Sequence, residues 1–569
     1  MSSGSASTSA VAWGSGSGSG ISAFSSSSER SARPTFEPDR VVLGAVAAVH
    51  VAHLLCTAWV PGLADLYILD SRVYDEMADA FVASGFFAGD EAFGHAPLYP
   101  LWLAALRRLS SWPLIPLVLQ VAMGVLNAAL VGAIARRVFD ARAAAPAIAL
   151  YGLYAPAAML ETKLMASTLG VTLALAALRL LVETRPGVRP GACVVAGVAL
   201  GAACLVRPNT LLFVPFAALF VVVARGGLRA AGAWVSAALF LAGTVLVIAP
   251  VSLRNHVVSG DFVLVTAHGG MTLYQSNNEQ AEGIYSPIPG AVGNPRVLAE
   301  RLREQAEAES GEAMRLPEVD RMYRDRALAF LASDFGRTAR LLGRKLRFWF
   351  GNDEVSTEYT LPTERALTPT LWLMPVPFAL VLALAGLGLH RAVTARRFGA
   401  PAAVLAAFVL ANLASVLLFY FSSRYRLPAV PVLCVFAGYG FSSVRERFEA
   451  KRWDRGGWLV LGLGLAVFSW LPISDDADRY AFHQWYNYGV AQHERGEFEA
   501  AVESFERALV GMRDHWHVHL ALGRAYATVD RLEEALARYR RAVEMRPQSR
   551  NAREGVESVR ARIEGRGSP

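Results

Sequence analysis

Residues 231–253 read AGAWVSAALFLAGTVLVIAPVSL, without one charged side chain. A helix needs about 20 apolar residues to cross a bilayer core, so this stretch is read as a membrane span. Ten more apolar runs flank it, at roughly 41–60, 113–136, 143–160, 165–183, 191–206, 208–225, 368–389, 399–421, 428–444 and 457–471. The bulk numbers agree. Of 569 residues, 54% are hydrophobic and 18% charged, with mean hydropathy +0.33, whereas soluble domains carry about 25% charged residues. The expected fold is all-α, a polytopic transmembrane helical bundle of about eleven spans. An ordinary soluble enzyme, a disordered protein and a disulfide-rich secreted module are set aside.

The formal net charge of +7 could point to nucleic acid, but the placement of the charges argues against such a partner. Basic clusters at Arg30/Arg33/Arg40, Arg136/Arg137/Arg142, Arg179/Arg185/Arg189, Arg225/Arg229, Arg391/Arg396/Arg397 and Arg445–Arg455 fall at every second connection. Putting all of them in the cytoplasm gives one consistent topology. The Ser/Gly-rich tail 1–39, which reads as disordered and not as a cleavable signal, then lies inside, and everything after 472 outside. The membrane domain spans 40–472, with long outer connections at 61–112 and 254–367. The short apolar segment 97–110, interrupted by Pro97 and Pro100, is read as an interfacial helix on the outer face. The four cysteines form no CxxC pair, so zinc, disulfide and thiol chemistry find no support.

Beyond 472 an internal repeat emerges. Gly489, Ala501, Phe505 and Ala508 recur 34 residues later as Gly523, Ala535, Tyr539 and Ala542. Small residues and aromatics at this period resemble tetratricopeptide repeats, so 473–569 is read as a repeat domain offering a surface to a protein partner. His515, His517 and His519 alternate there, but residues two apart on a helix face different ways, and no metal site is expected.

The chemistry concentrates in the first outer loop, which runs Leu69-Asp70-Ser71-Arg72-Val73-Tyr74-Asp75-Glu76 and later His95-Ala96-Pro97-Leu98-Tyr99-Pro100. A carboxylate just outside the first span sits where lipid-borne and aqueous substrates meet, and can take a proton from an attacking hydroxyl. It could equally cap the helix starting at Ser71. Basic residues at predicted outer ends of spans (Lys163, Arg207, Arg254, Arg424, Arg426) could stabilise a phosphate leaving group, or snorkel to the interface. Glu161, at the edge of an apolar run, must line a cavity or be buried against a basic partner. No nucleotide-type glycine loop and no Asp-x-Asp metal motif occurs.

The loop resembles the opening loop of glycosyltransferase family 39, the GT-C-fold group that includes protein O-mannosyltransferases and aminoarabinose transferases. Tyr154-Ala155-Pro156 with Glu161-Thr162-Lys163, Leu205-Val206-Arg207-Pro208-Asn209, Leu253-Arg254-Asn255, Gly260-Asp261-Phe262-Val263 and Arg424-Tyr425-Arg426-Leu427-Pro428 extend the resemblance across most of 41–445. His95-Ala96-Pro97-Leu98 departs from the Lys-Pro-Pro-Leu stretch of the aminoarabinose branch. The resemblance implies a multi-pass inner-membrane enzyme that moves a sugar from a polyprenyl-phosphate carrier to an acceptor hydroxyl on a protein, lipid or glycan at the outer face. Asp70 matches the family's base, with inversion at the anomeric carbon. Tyr74, Asp75, His95, Glu161, Lys163, Arg207, Arg254, Arg424 and Arg426 are expected to bind substrate. No cofactor is expected, and metal dependence stays open. The rival readings are a ligase of polyprenyl-linked glycans and a non-enzymatic transporter or scaffold of lipid-linked sugars.

Overall fold

The computed structural model describes residues 38–87, 89–286, 288, 295–450, 457–473 and 476–566. Apart from its last two residues, the expected tail 1–39 lies outside them. All regular structure among the described residues is helical, with isolated bridges only between Tyr154 and Pro375 and between Ile284 and Phe421. The first half runs α1 (Pro38–Trp59), α2 (Asp70–Ser84), α3 (Leu98–Leu109), α4 (Ile115–Val138), α5 (Ala144–Gly152) and α6 (Ala155–Glu161). It continues through α7 (Ser167–Val182), α8 (Gly191–Val206), α9 (Val214–Ala224) and α10 (Ala231–Ser259). A polar block follows with α11 (Gly269–Ser276), α12 (Pro295–Ser310), α13 (Leu316–Ser333), α14 (Phe335–Phe350) and α15 (Leu361–Leu367). The apolar helices resume as α16 (Phe378–Thr394), α17 (Ala400–Leu418), the single turn α18 (Ser423–Arg426), α19 (Ala429–Glu449) and α20 (Gly457–Trp470). The chain ends in α21 (Asp476–Glu494), α22 (Phe498–Gly511), α23 (Trp516–Thr528), α24 (Leu532–Met545) and α25 (Arg550–Arg566).

Four helices, α1, α4, α10 and α17, are long and apolar enough to cross a membrane, and shorter apolar helices accompany them. The chain is a membrane protein. Its core is built by small residues that let backbones approach. A Cβ on Gly197 or Gly201 of α8 would collide with the α10 backbone at Phe240 or Thr244, and one on Gly243 with Val194. Close backbone approach is how helices associate in lipid, where no hydrophobic force separates them from the solvent. Gly388 of α16 and Gly440 of α19 make the equivalent contact, and Gly462 of α20 rests on Leu387.

Four expected spans differ, one of them 208–225, where a 3-10 segment over Pro208–Phe213 precedes the short α9. Residues 143–160 form two short helices, not one span, because the chain breaks at Leu153–Tyr154 and restarts on Pro156, whose ring suits a first helical turn. The run 368–389 likewise splits into a short turn at Pro369–Leu373 and α16. The helix expected to stop at 253 continues to Ser259, where Gly260 closes it in a left-handed conformation with φ 73°. At 29 residues it is about 44 Å long, against a hydrocarbon core of about 30 Å, so Arg254 sits on a protruding helix end and not in a loop.

The ends of the bundle differ in chemistry. At one end Arg136 pairs with Asp39, Arg137 with Glu183 (3.1 Å), Arg142 with Glu446 (2.6 Å) and Arg397 with Asp140 (3.2 Å). The other end carries α2, α3, the polar block and the repeats. From Pro38 on, the chain packs as one unit.

Candidate active site

Asp70 opens α2. The residue before it, Leu69, has φ 47° and ψ −119°, a backbone conformation that a side chain bearing a Cβ rarely adopts and that collects at functional sites. The Asp70 carboxylate does not cap its own helix. Instead Oδ2 accepts a hydrogen bond from Arg424 Nη1 at 2.6 Å. The same Nη1 also donates to Glu358. Arg424 and Glu358 are buried, and Asp70 is 13% exposed. One guanidinium thus bridges two carboxylates from elements far apart in sequence.

Burial raises the pKa of Asp70, but Arg424 beside it, with a smaller pull from His95, outweighs burial and holds the carboxyl well below the usual range. Burial pushes Glu358 the other way, and the Asp70 charge and a hydrogen bond to Asp70 add to that rise against Arg424. Two carboxyls sharing one site cannot both ionise easily. The shared site thus pushes the two carboxyls apart, Asp70 towards its charged form and Glu358 towards its protonated one.

Aromatic and imidazole rings complete the group. Tyr74, one turn along α2, is buried, with its ring edge towards His95 at 6.5 Å. His95 stacks on His268 at 5.7 Å. Burial lowers the pKa of both, His268 to about 4. Tyr425 lies between two cations, with Arg424 5.0 Å and Arg207 5.6 Å from its ring centre. Arg207 donates to Ser167 at 2.7 Å, and its charge acts on both Tyr74 and Glu358. Among the described residues no carboxylate pairs with Arg207, so its charge faces the site uncancelled.

The structure thus brings Asp70, Tyr74, His95, Arg207 and Arg424 together and directs the other expected site residues elsewhere. Asp75 is tied to Arg107 of α3, because a step of five along α2 turns it towards that helix. Glu161 is buried against His50 at 2.7 Å, passing over Gly124, so burial with a basic partner is the outcome, not a cavity wall. Lys163 pairs with Glu364 at 2.9 Å. Arg254 donates to the Glu91 carbonyl and covers the Phe93 ring at 3.9 Å, bracing the loop after α2. Arg426, two positions from Arg424 on one turn, faces the opposite way. It pairs with Glu354 at 2.9 Å and donates to the Trp349 and Gly351 carbonyls.

Glu358, His268 and Tyr425 escaped the sequence reading as site residues. The signal for Glu358 was its place in Glu354-Val355-Ser356-Thr357-Glu358, just before an apolar run, where a buried arginine needs a counter-charge. Among the described residues no group of three or more metal-binding side chains exists.

Residues 94–252 match the family model described as dolichyl-phosphate-mannose-protein mannosyltransferase. Residues 485–509 and 517–549 match the tetratricopeptide repeat model. No curated protein gives a significant match. Among solved structures, the oligosaccharyltransferase of Archaeoglobus fulgidus tethered with an acceptor peptide is 15% identical, with 82% of this chain and 59% of that chain covered at a TM-score of 0.46. Its apo form gives 15% identity, 81% and 59% coverage and a TM-score of 0.45. ArnT from Cupriavidus metallidurans bound to undecaprenyl phosphate gives 14% identity, 88% and 79% coverage and a TM-score of 0.39. The chain therefore spans 59% of the length of the archaeal enzyme it matches. Residues 94–252 are thus similar to the dolichyl-phosphate-mannose-protein mannosyltransferase family, and tetratricopeptide repeats follow between 485 and 549.

Proposed function

We propose that this chain transfers a sugar from a polyprenyl-phosphate carrier to an acceptor hydroxyl, with Asp70 as the base. The observation that carries the reading is the triad at the head of α2, in which the Arg424 guanidinium bridges Asp70 and the buried Glu358 and holds the Asp70 carboxyl below its usual range. The acceptor oxygen attacks the anomeric carbon from the face opposite the phosphate. The bond to the carrier breaks with its electron pair left on the phosphate, and the acceptor proton passes to Asp70, so configuration inverts. A base held this low takes the proton late, once the new bond has made the acceptor oxygen acidic. The uncancelled charge of Arg207 is suited to the phosphate as it departs, since a guanidinium can donate two parallel hydrogen bonds.

The membrane domain 40–472 would hold this chemistry at the extracytoplasmic face of the inner membrane, across about eleven spans, with the repeats of 473–569 on the same side. Ion pairs of the expected cytoplasmic arginines gather at the end of the bundle away from Asp70, which supports that sidedness. The test is incubation of the purified chain with a panel of polyprenyl-phosphate sugars and a hydroxyl acceptor. The reading expects one donor to be consumed and the product to carry inverted anomeric configuration. Retention, or no consumption of any donor, overturns it.

A further inference from the structure

The repeat helix α21 does more than rest on the membrane domain. Gln484 and Tyr488 leave the repeat stack fully buried and enter the segment that carries Glu358. Gln484 Oε1 accepts from the Thr360 backbone N–H at 2.6 Å and from the Thr360 hydroxyl at 2.8 Å. Its Nε2 donates to Glu364 Oε1 at 2.6 Å and to the Tyr488 hydroxyl at 3.0 Å. Tyr488 itself donates to Glu364 at 2.5 Å, whose other oxygen meets Lys163. Tyr359, between Glu358 and Thr360, shares a 2.8 Å hydrogen bond with Ser71, the neighbour of Asp70. One amide from the repeats therefore grips 358–364 at two points, beside both carboxyls of the site.

The repeat pattern marks these two side chains as exceptions. The positions 34 residues on are Val518 and Leu522, both buried inside the repeat stack. A helix serving only its own stack would carry apolar residues at 484 and 488 too. Simple docking would also be served as well by apolar contact, because buried polar networks add little net stability over well-packed hydrophobic side chains. What they add is fixed geometry.

We propose that Gln484 and Tyr488 are positioning residues that set Glu358 against Asp70 and Arg424, making the first repeat helix part of the catalytic apparatus. This rests on Asp70 being the base of sugar transfer. Glu358 is faced by Asp70 and Tyr74 from α2, Arg424 from α18 and Arg207 from the end of α8. None of these is altered by changes in α21.

The experiment uses the full chain in lipid nanodiscs as wild type, Gln484→Leu and the milder Tyr488→Phe. One readout is the infrared band of the protonated Glu358 carboxyl, identified by its loss in Glu358→Gln and followed against pH. The other is kcat and KM with whichever donor of the panel of polyprenyl-phosphate sugars the wild type consumes. Gln484→Leu is expected to move the titration midpoint by about one pH unit, a tenfold change in proton affinity, and to lower kcat with KM for the donor kept. Tyr488→Phe moves both in the same direction by less. A midpoint unmoved in both variants overturns the proposal, even if kcat drops, since general damage would do that alone. A midpoint that moves in a chain that consumes no donor upholds the positioning role and sinks the transfer reading.

Discussion

Asp70 and Glu358 shift in opposite directions although Arg424 pulls both down, because burial and the Asp70 charge outweigh it at Glu358. Asp70 is held below its ordinary value, so the folded chain keeps a charge where the unfolded chain takes a proton. That contribution is present above the ordinary carboxylate range and is lost as pH falls through the depressed value. Glu358 is raised, so between its ordinary and its raised value the folded chain retains a proton the unfolded one has released. Stability falls as pH rises through that window. Glu358→Gln, which keeps a donor for Asp70 and an acceptor for Arg424, should flatten this fall. The thermal midpoint of the variant, followed from acid to mildly alkaline pH, checks it: a slope equal to wild type would contradict the assignment of the proton. At Glu161 the prediction is simpler. His50→Ala leaves a buried carboxylate without its partner and should cost about 3–5 kcal/mol, read as a drop in the unfolding midpoint.

Helices were legible wherever twenty apolar residues ran together, as in α1, α4, α10 and α17, because length and hydropathy are local properties. The split of α5 from α6 was signalled by Pro156 but masked by apolar residues on both sides of it. The site was only half legible. Asp70, Tyr74, His95 and Arg207 announced themselves by position and motif, yet the Asp70–Arg424–Glu358 bridge joins residues hundreds of positions apart, and no periodicity encodes such a pairing. The same holds for Lys163, whose partner Glu364 lies on α15. Lys163→Met should destabilise by about 3–5 kcal/mol, and adding Glu364→Gln should recover much of that loss, because the unpaired charge and not the lost attraction is what costs. Where α8 meets α10, Gly243→Leu drives a side chain into the Val194 backbone. Overpacking of this kind costs about 1–3 kcal/mol or more, visible as lost monodispersity after detergent extraction.

On the scale of the whole chain, the 34-residue repeat is matched contact for contact. Gly489 lies under the Phe505 ring as Gly523 lies under Tyr539, so the period read in the sequence is a period of packing. Docking of the repeats is uneven in strength. The exposed Arg495–Asp65 pair at 3.1 Å should matter little, within about 1 kcal/mol, so Asp65→Ala is expected to leave the unfolding midpoint nearly unchanged. Sidedness makes a separate prediction. A cysteine replacing Glu499 on α22 should react with a membrane-impermeant maleimide in intact cells, and one replacing Thr394 at the end of α16 should not. The reverse pattern would place Asp70 in the cytoplasm. The most direct test of the account is Asp70→Asn in the purified full chain, assayed with the donor the wild type consumes. Transfer should fall by about two to four orders of magnitude, the range general-base catalysis supplies, while folding and donor binding persist. Transfer at the wild-type rate would contradict the account.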